Sequence, residues 1–234
     1  MAFELSALRV ALPLAALLLA PLQVRTQPAI DASALPARAA SVVAFVPPGW
    51  TIEQQRAADL NPDGRRDAVL LLRRLPAAGV ADGKDNRSPQ RALAALLGVR
   101  GGYTLLALNA RLVPQVDLAS QEDPMADGEL SVRPGGFDIK LGVMSGVGSY
   151  QSASLRYRFR YQGSCLRLIG YDRLETHRAT LTTQDLSINF LTGAVVRTTG
   201  NAQSDVTQVR RERLSTNPYR CFQDLDSAAE FHPL

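Results

Sequence analysis

Residues 154–161 read SLRYRFRY, with a hydrophobic side chain at every second position and an arginine between each pair. This alternation of period two predicts a half-buried β-strand. One face would carry leucine and aromatic rings, and the other would carry Arg156, Arg158 and Arg160. Gln162-Gly163-Ser164 then leads into a second apolar run at residues 165–171 (CLRLIGY). The sequence therefore predicts an antiparallel hairpin here.

Similar short segments, separated by glycine-rich turns, occupy most of the chain. Further strands are predicted at residues 41–46, 68–74, 103–109, 129–133, 137–143, 185–191 and 194–198. Exposed loops or turns are expected at 76–89 and 142–148, and an irregular, polar end at 210–234. No long helix is visible. We expect an all-β fold with an antiparallel meander or sandwich-like sheet.

Residues 90–99 (QRALAALLGV) are the ambiguous segment. Alanine and leucine favour a helix, whereas the Arg100-Gly101-Gly102 turn favours a hairpin with the next apolar run. We favour the strand. The alternative is an α+β fold with one short helix near residues 90–98.

The N-terminus resembles an export signal. The apolar run at residues 10–22 would span only about 20 Å as a helix, short of the ~30 Å hydrocarbon core of a bilayer. It fits the hydrophobic region of a signal peptide, with an uncleaved anchor as the alternative. We expect a leader at 1–25, a linker at 26–40 and a single β-rich domain at 41–234. The predicted location is periplasmic or secreted.

The chain has two cysteines, Cys165 and Cys221. In an oxidising compartment such a pair is most simply one disulfide, tying the C-terminal tail to the body of the domain. The alternative is two unrelated buried thiols. The chain-entropy model gives a stabilisation of ~4 kcal/mol for a disulfide closing a loop of this size.

Residues 59–67 read DLNPDGRRD, the one stretch whose residue types and spacing imply a specific chemistry. Oxygen-bearing side chains fall at relative positions 1, 3, 5 and 9, and Gly64 at position 6 permits a sharp turn. The predicted Ca²⁺ ligands are the side chains of Asp59, Asn61, Asp63 and Asp67, with the carbonyl of Arg65. An EF-hand would need a glutamate at position 12, where Leu70 stands, so this class of site is excluded. A cation-free turn is the alternative, with Arg65 or Arg66 pairing with the aspartates.

Residues 57–72 (AADLNPDGRRDAVLLL) resemble the calcium loop and following strand of FG-GAP/VCBS-type repeats. The resemblance implies Ca²⁺ at the residues named above. Residues 120–131 (SQEDPMADGELS) are only a partial echo, so a full propeller of repeated blades is not expected. Blocks such as VPPGWTI, LRLIGYD and INFLTG also resemble uncharacterised exported bacterial proteins, which implies a β-rich periplasmic domain but no activity.

Charge and catalytic residues limit the classes of function. The formal charge is +4, and the basic residues are dispersed, unlike the dense patches of nucleic-acid binders. Arg156, Arg158 and Arg160 could contact an anionic ligand, although such a face is more often simply solvated. The only histidines are His177 and His232, and no Gly-x-Ser-x-Gly motif occurs. We expect a non-enzymatic, envelope-associated binding module, with a hydrolase of envelope polymers as the alternative.

Overall fold

The computed structural model describes residues 30–76, 86–144 and 150–233. Twelve strands carry the fold, and the helical segments of this part of the chain are three short 3-10 turns, at Ala32–Ala34, Val42–Phe45 and Phe222–Asp224. The strands are β1 (Arg38–Ala39), β2 (Trp50–Ala58), β3 (Asp67–Arg74), β4 (Arg91–Val99), β5 (Gly102–Asn109), β6 (Glu129–Arg133), β7 (Gly136–Met144), β8 (Gln151–Gln162), β9 (Cys165–His177), β10 (Thr182–Asn189), β11 (Ala194–Asn201) and β12 (Ser204–Arg213).

The strands form two antiparallel sheets. The small sheet has five strands in the order β1-β5-β4-β3-β2, and the large sheet has seven in the order β12-β11-β10-β9-β8-β7-β6. Within each sheet, strands that are consecutive in the chain are neighbours, apart from β1, which pairs with β5. The predicted all-β, meander-like sandwich is therefore confirmed. The ambiguous segment at 90–99 is strand β4, not a helix.

The main core lies between the two sheets. Val69, Leu71 and Leu93 of the small sheet belong to the same buried cluster as the inward side chains of β7 and β8. The inward residues of β8 are Leu155, Tyr157 and Phe159, which are at most 4% exposed, whereas Arg160 is exposed. The alternation predicted for 154–161 is thus confirmed.

The small sheet is also buried on its outer face. Phe45 is fully buried there against Leu70, Leu72 and Leu96, and residues 30–46 cover the cluster. A strand that is buried on both faces carries apolar residues at successive positions, without alternating polar residues. This explains the continuous apolar runs of β3 and β4.

The covering segment differs from its sequence prediction in one element. Residues 41–46 form a 3-10 turn instead of a strand, because Ser41 accepts a hydrogen bond from the amide of Val43 at 3.3 Å and so caps a turn. The described part of the predicted linker, residues 30–40, includes Leu35, which is 7% exposed, and pairs with β5 through β1.

The C-terminal tail closes the main core. Phe222, Leu225 and Phe231 are buried between the sheets, and Cys221 is joined to Cys165 with a Cα–Cα distance of 5.9 Å. The predicted disulfide is confirmed. The irregular end was predicted to begin at residue 210, but strand β12 continues to Arg213 and the irregular segment begins after it. The predicted leader at 1–25 lies outside the described residues, as do parts of the predicted loops at 76–89 and 142–148.

Candidate functional site

The loop at 59–67 connects β2 to β3 at one end of the sandwich. Leu60 anchors it, since this side chain is fully buried in the main core. Gly64 has a φ of +79°, a conformation that suits glycine and supplies the predicted sharp turn. The carboxylate of Asp59 closes this turn: its Oδ1 accepts from the amide of Asp63 at 3.2 Å and its Oδ2 from that of Gly64 at 2.9 Å.

Asp63 and Arg65 form a pair at the tip of the loop. The Asp63 carboxylate accepts from the Arg65 amide at 2.8 Å and from the Arg65 guanidinium at 3.1 Å. The backbone hydrogen bond is the main cause that lowers the pKa of Asp63, so this carboxylate is ionised at neutral pH. The Arg65 guanidinium therefore occupies Oδ2 of Asp63, an oxygen that a cation could otherwise bind.

Asp67 is the buried member of the predicted ligand set, with no exposed surface. Its Oδ2 accepts from the amide of Leu60 and its Oδ1 from that of Gly98, both at 2.7 Å. Burial raises the pKa of Asp67 despite these bonds, because the charged form is desolvated. Its carboxylate thus connects the loop to the end of β4, a role that the spacing alone did not reveal.

Asn61 supplies the observation that bears most directly on a cation. Its Oδ1 is buried and has no hydrogen-bond partner among the described residues, while its Nδ2 donates to Asp63 at 3.2 Å. A buried amide oxygen without a partner is costly, and a bound ion or water is the usual remedy.

The donor set of the loop fits a hard cation. Carboxylate, amide and backbone oxygens are the ligands that Ca²⁺ takes in proteins. Within residues 30–76, 86–144 and 150–233, no group of three or more acidic, histidine or cysteine side chains is arranged to hold a metal. The fit therefore depends on the amide oxygen of Asn61 and on carbonyl oxygens such as that of Arg65, together with the aspartates.

The arginine face of β8 is largely engaged with carboxylates of neighbouring strands. Arg158 donates to Asp172 of β9 at 2.5 Å, and Arg156 lies 3.9 Å from Asp138 of β7. Arg160 is exposed and makes no hydrogen bond or ion pair within the described part of the chain. Of the three predicted anion-contacting residues, only Arg160 presents an uncompensated charge.

The structure contains a buried ion cluster that was not predicted from the sequence. Arg91, whose side chain is 4% exposed, donates to both oxygens of Glu53, at 2.6 and 2.9 Å, and to both oxygens of Asp123, at 2.6 and 2.8 Å. These bonds draw the segment containing Asp123 onto the small sheet. The only available signal was a single arginine at the start of an apolar run, and its two partners lie on distant segments.

Neither histidine forms part of a recognisable catalytic arrangement in the described residues. The Nδ1 of His177 contacts the hydroxyl of Thr180 at 2.9 Å, within a tight turn. A surface pocket of about 280 Å³ is lined by Asp123, Asp127 and Lys140, among others, and includes neither histidine. His232 lines another pocket, near Asp224 and Glu230.

The chain was compared with protein-family models, with curated proteins and with solved structures. No family model, no curated protein and no solved structure matches it. Among the described residues, no helix is long and apolar enough to cross a membrane.

Proposed function

We propose that this protein is an exported, non-enzymatic β-sandwich module whose 59–67 loop binds Ca²⁺ as a structural clasp. The single observation that carries the proposal is the buried, unpartnered Oδ1 of Asn61. A cation held by Asn61, Asp59, Asp63, Asp67 and the carbonyl of Arg65 would satisfy this oxygen. The same ion would offset the negative charge of the aspartates.

The contacts of the loop favour a stabilising role for the ion. Leu60 is inserted in the main core, and Asp67 is bonded to the amides of Leu60 and Gly98. The carbonyl of Asp59 accepts from Gly135 at 2.8 Å, which joins the loop to the β6–β7 turn. An ion that orders this loop would therefore stabilise its contacts with the main core, with β4 and with the β6–β7 turn.

The disulfide supports the exported location. A bond between Cys165 and Cys221 persists in oxidising compartments such as the periplasm or the extracellular space. The apolar run at residues 10–22 is the segment that would direct export. The partner of such a module would be an envelope component, bound through the β surface.

Calcium binding is tested by thermal unfolding of the metal-free protein with and without added Ca²⁺. Calcium at 100 times its Kd is expected to raise the Tm by roughly 5–10 °C, since ligand bound only to the folded state stabilises it by about 2.7 kcal/mol. Asp63→Ala should abolish this shift. Asp205→Ala, an exposed aspartate of β12, is the matched control and should retain it.

Asn61→Ala gives a second, sharper test. If the amide oxygen binds the ion, this variant loses affinity for Ca²⁺ in calorimetry while its metal-free Tm stays close to that of wild type. An unchanged Tm of the folded, metal-free wild type across millimolar Ca²⁺, with no heat of binding, would refute the calcium site.

A further inference from the structure

Several connections meet at the end of the sandwich that carries the 59–67 loop. The amide of Gly135 donates to Asp59, and the carbonyl of Gly135 accepts from Tyr161 at 2.8 Å. On the other side, Asp67 accepts from Gly98, next to the β4–β5 turn. The 59–67 loop therefore contacts the end of β4, and the β6–β7 turn connects it to the end of β8. We call the 59–67 loop, the β4–β5 turn and the end of β8 the loop end.

The loop end presents arginines without counter-ions. Arg66 of the loop, Arg100 of the β4–β5 turn and Arg160 of β8 are all exposed. None of the three side chains makes a hydrogen bond or ion pair within residues 30–76, 86–144 and 150–233. Although they are dispersed in the sequence, they belong to segments that lie at one end of the sandwich.

A fourth arginine strengthens this charge. Arg167 of β9 is the direct cross-strand partner of Arg160, and like charges in this arrangement destabilise a sheet. The Nε of Arg167 is buried and has no hydrogen-bond partner in the described structure. Two facing arginines of this kind are stabilised when an anion lies between or above them.

Apolar side chains border the same surface. Arg167 lies over the ring of Tyr219, 4.6 Å from its centroid, and donates to the carbonyl of Phe190, the residue before Leu191. Tyr219 is 50% exposed and Leu191 is 39% exposed. Arginines beside an exposed aromatic ring and an aliphatic tip form the combination found at membrane–water interfaces.

We infer that the loop end docks on the surface of an anionic phospholipid bilayer. Arg66, Arg100, Arg160 and Arg167 would contact headgroup phosphates, while Tyr219 and Leu191 would enter the interfacial region. A soluble polyanion would use the arginines alone, so the apolar border favours the bilayer. The four arginine side chains are not ligands of the proposed calcium site, and docking does not require calcium.

The test is co-sedimentation with vesicles in the presence of a chelator. Wild-type protein should bind phosphatidylcholine vesicles containing one quarter phosphatidylglycerol, and should not bind pure phosphatidylcholine. Replacing Arg66, Arg100 and Arg160 together by Gln should weaken binding by roughly 100-fold, since each basic residue near such a surface contributes about a fivefold increase in affinity.

Two control variants distinguish docking from general charge attraction. Replacing Arg197, Arg210 and Arg211 on β11 and β12 by Gln removes the same charge elsewhere and should leave binding nearly unchanged. Leu191→Ser should weaken binding to vesicles but should leave the affinity for soluble polyphosphate unchanged. Circular dichroism and melting curves establish that each variant is folded.

The inference is overturned by any of three results. These are a wild-type protein that does not distinguish anionic from neutral vesicles, equal losses in the two triple variants, or binding to soluble polyphosphate without binding to vesicles. Because chelator is present throughout, these outcomes are independent of the calcium titration.

Discussion

At the scale of single residues, Arg91 is a buried charge that is bound by two carboxylates. Two carboxylates each bind its guanidinium in a bidentate manner, and both are themselves only partly exposed, at 24%. Removal of one member of a buried cluster leaves the others without compensation. The cluster therefore connects the Asp123 segment to the small sheet through a single side chain.

We expect Arg91→Leu to lower the free energy of unfolding by about 3 kcal/mol, because Glu53 and Asp123 would then repel each other near the sheet. Urea unfolding measures this loss. The matched control is Arg111→Leu: Arg111 is 56% exposed and pairs with Asp226 at 3.1 Å, so its replacement should cost less than about 1 kcal/mol. Similar losses in both variants would contradict the assigned role.

The predicted loop and the missed cluster differ in how far apart their residues lie in sequence. Asp59, Asn61 and Asp63 fall within one short segment, so their spacing reveals a candidate site directly. Glu53, Arg91 and Asp123 come from separate segments, and only the fold brings them together. Arg66, Arg100 and Arg160 likewise come from separate segments, which the fold places at one end of the sandwich.

At the scale of elements, the close contact between the 59–67 loop and β4 depends on Gly98. A Cβ atom at this position would lie 2.4 Å from the carbonyl oxygen of Arg66, which is backbone and cannot rotate away. The hydrogen bond from Gly98 to Asp67 lies at the same contact. The lack of space therefore requires glycine here, whereas the hydrogen bond needs only the backbone amide of this position.

Gly98→Ala is expected to destabilise the protein by about 1–3 kcal/mol, since the loop must move away from β4. It should also weaken Ca²⁺ binding if the loop is the calcium site. Gly142→Ala in β7 is the control, because a Cβ there meets nothing closer than 3.9 Å. Equal melting temperatures of the two variants would show that the close contact is unimportant.

Burial patterns explain why β3, β4 and β8 could be predicted and why β2 and β12 were missed. The alternating pattern of β8 indicates a strand that is buried on one face. The continuous apolar runs of β3 and β4 indicate strands that are buried on both faces. β2 and β12 were missed because their exposed and half-buried residues show no regular alternation. β12 is almost wholly exposed at the edge of the large sheet, so packing imposes no pattern on it.

At the scale of the whole molecule, the disulfide holds the tail against the edge of the core. Cys221 is adjacent to Phe222, whose ring packs against Phe137 and Phe159 with centroid distances of 5.3 and 5.2 Å. The carbonyls of Phe222 and Leu225 accept from Asn109 at 2.7 and 2.9 Å. The covalent bond thus restrains a segment that also completes the core.

Replacing both cysteines by serine should lower the free energy of unfolding by roughly 2–4 kcal/mol, because the unfolded chain gains conformational freedom. Chemical denaturation with and without reductant measures the effect. Reductant should destabilise the wild type to a similar extent and leave the double variant unchanged. A fully reduced wild type with unaltered stability would contradict this expectation.

The position of this segment has a consequence for the order in which the fold is completed. Phe222, Leu225 and Phe231 occupy the interior, yet they follow all twelve strands in the sequence. Domains commonly begin to fold during synthesis from their N-terminal side. Here the strands would leave the ribosome before the residues that fill the space between them, so the sandwich reaches its final packing only after residues 222–231 are synthesised.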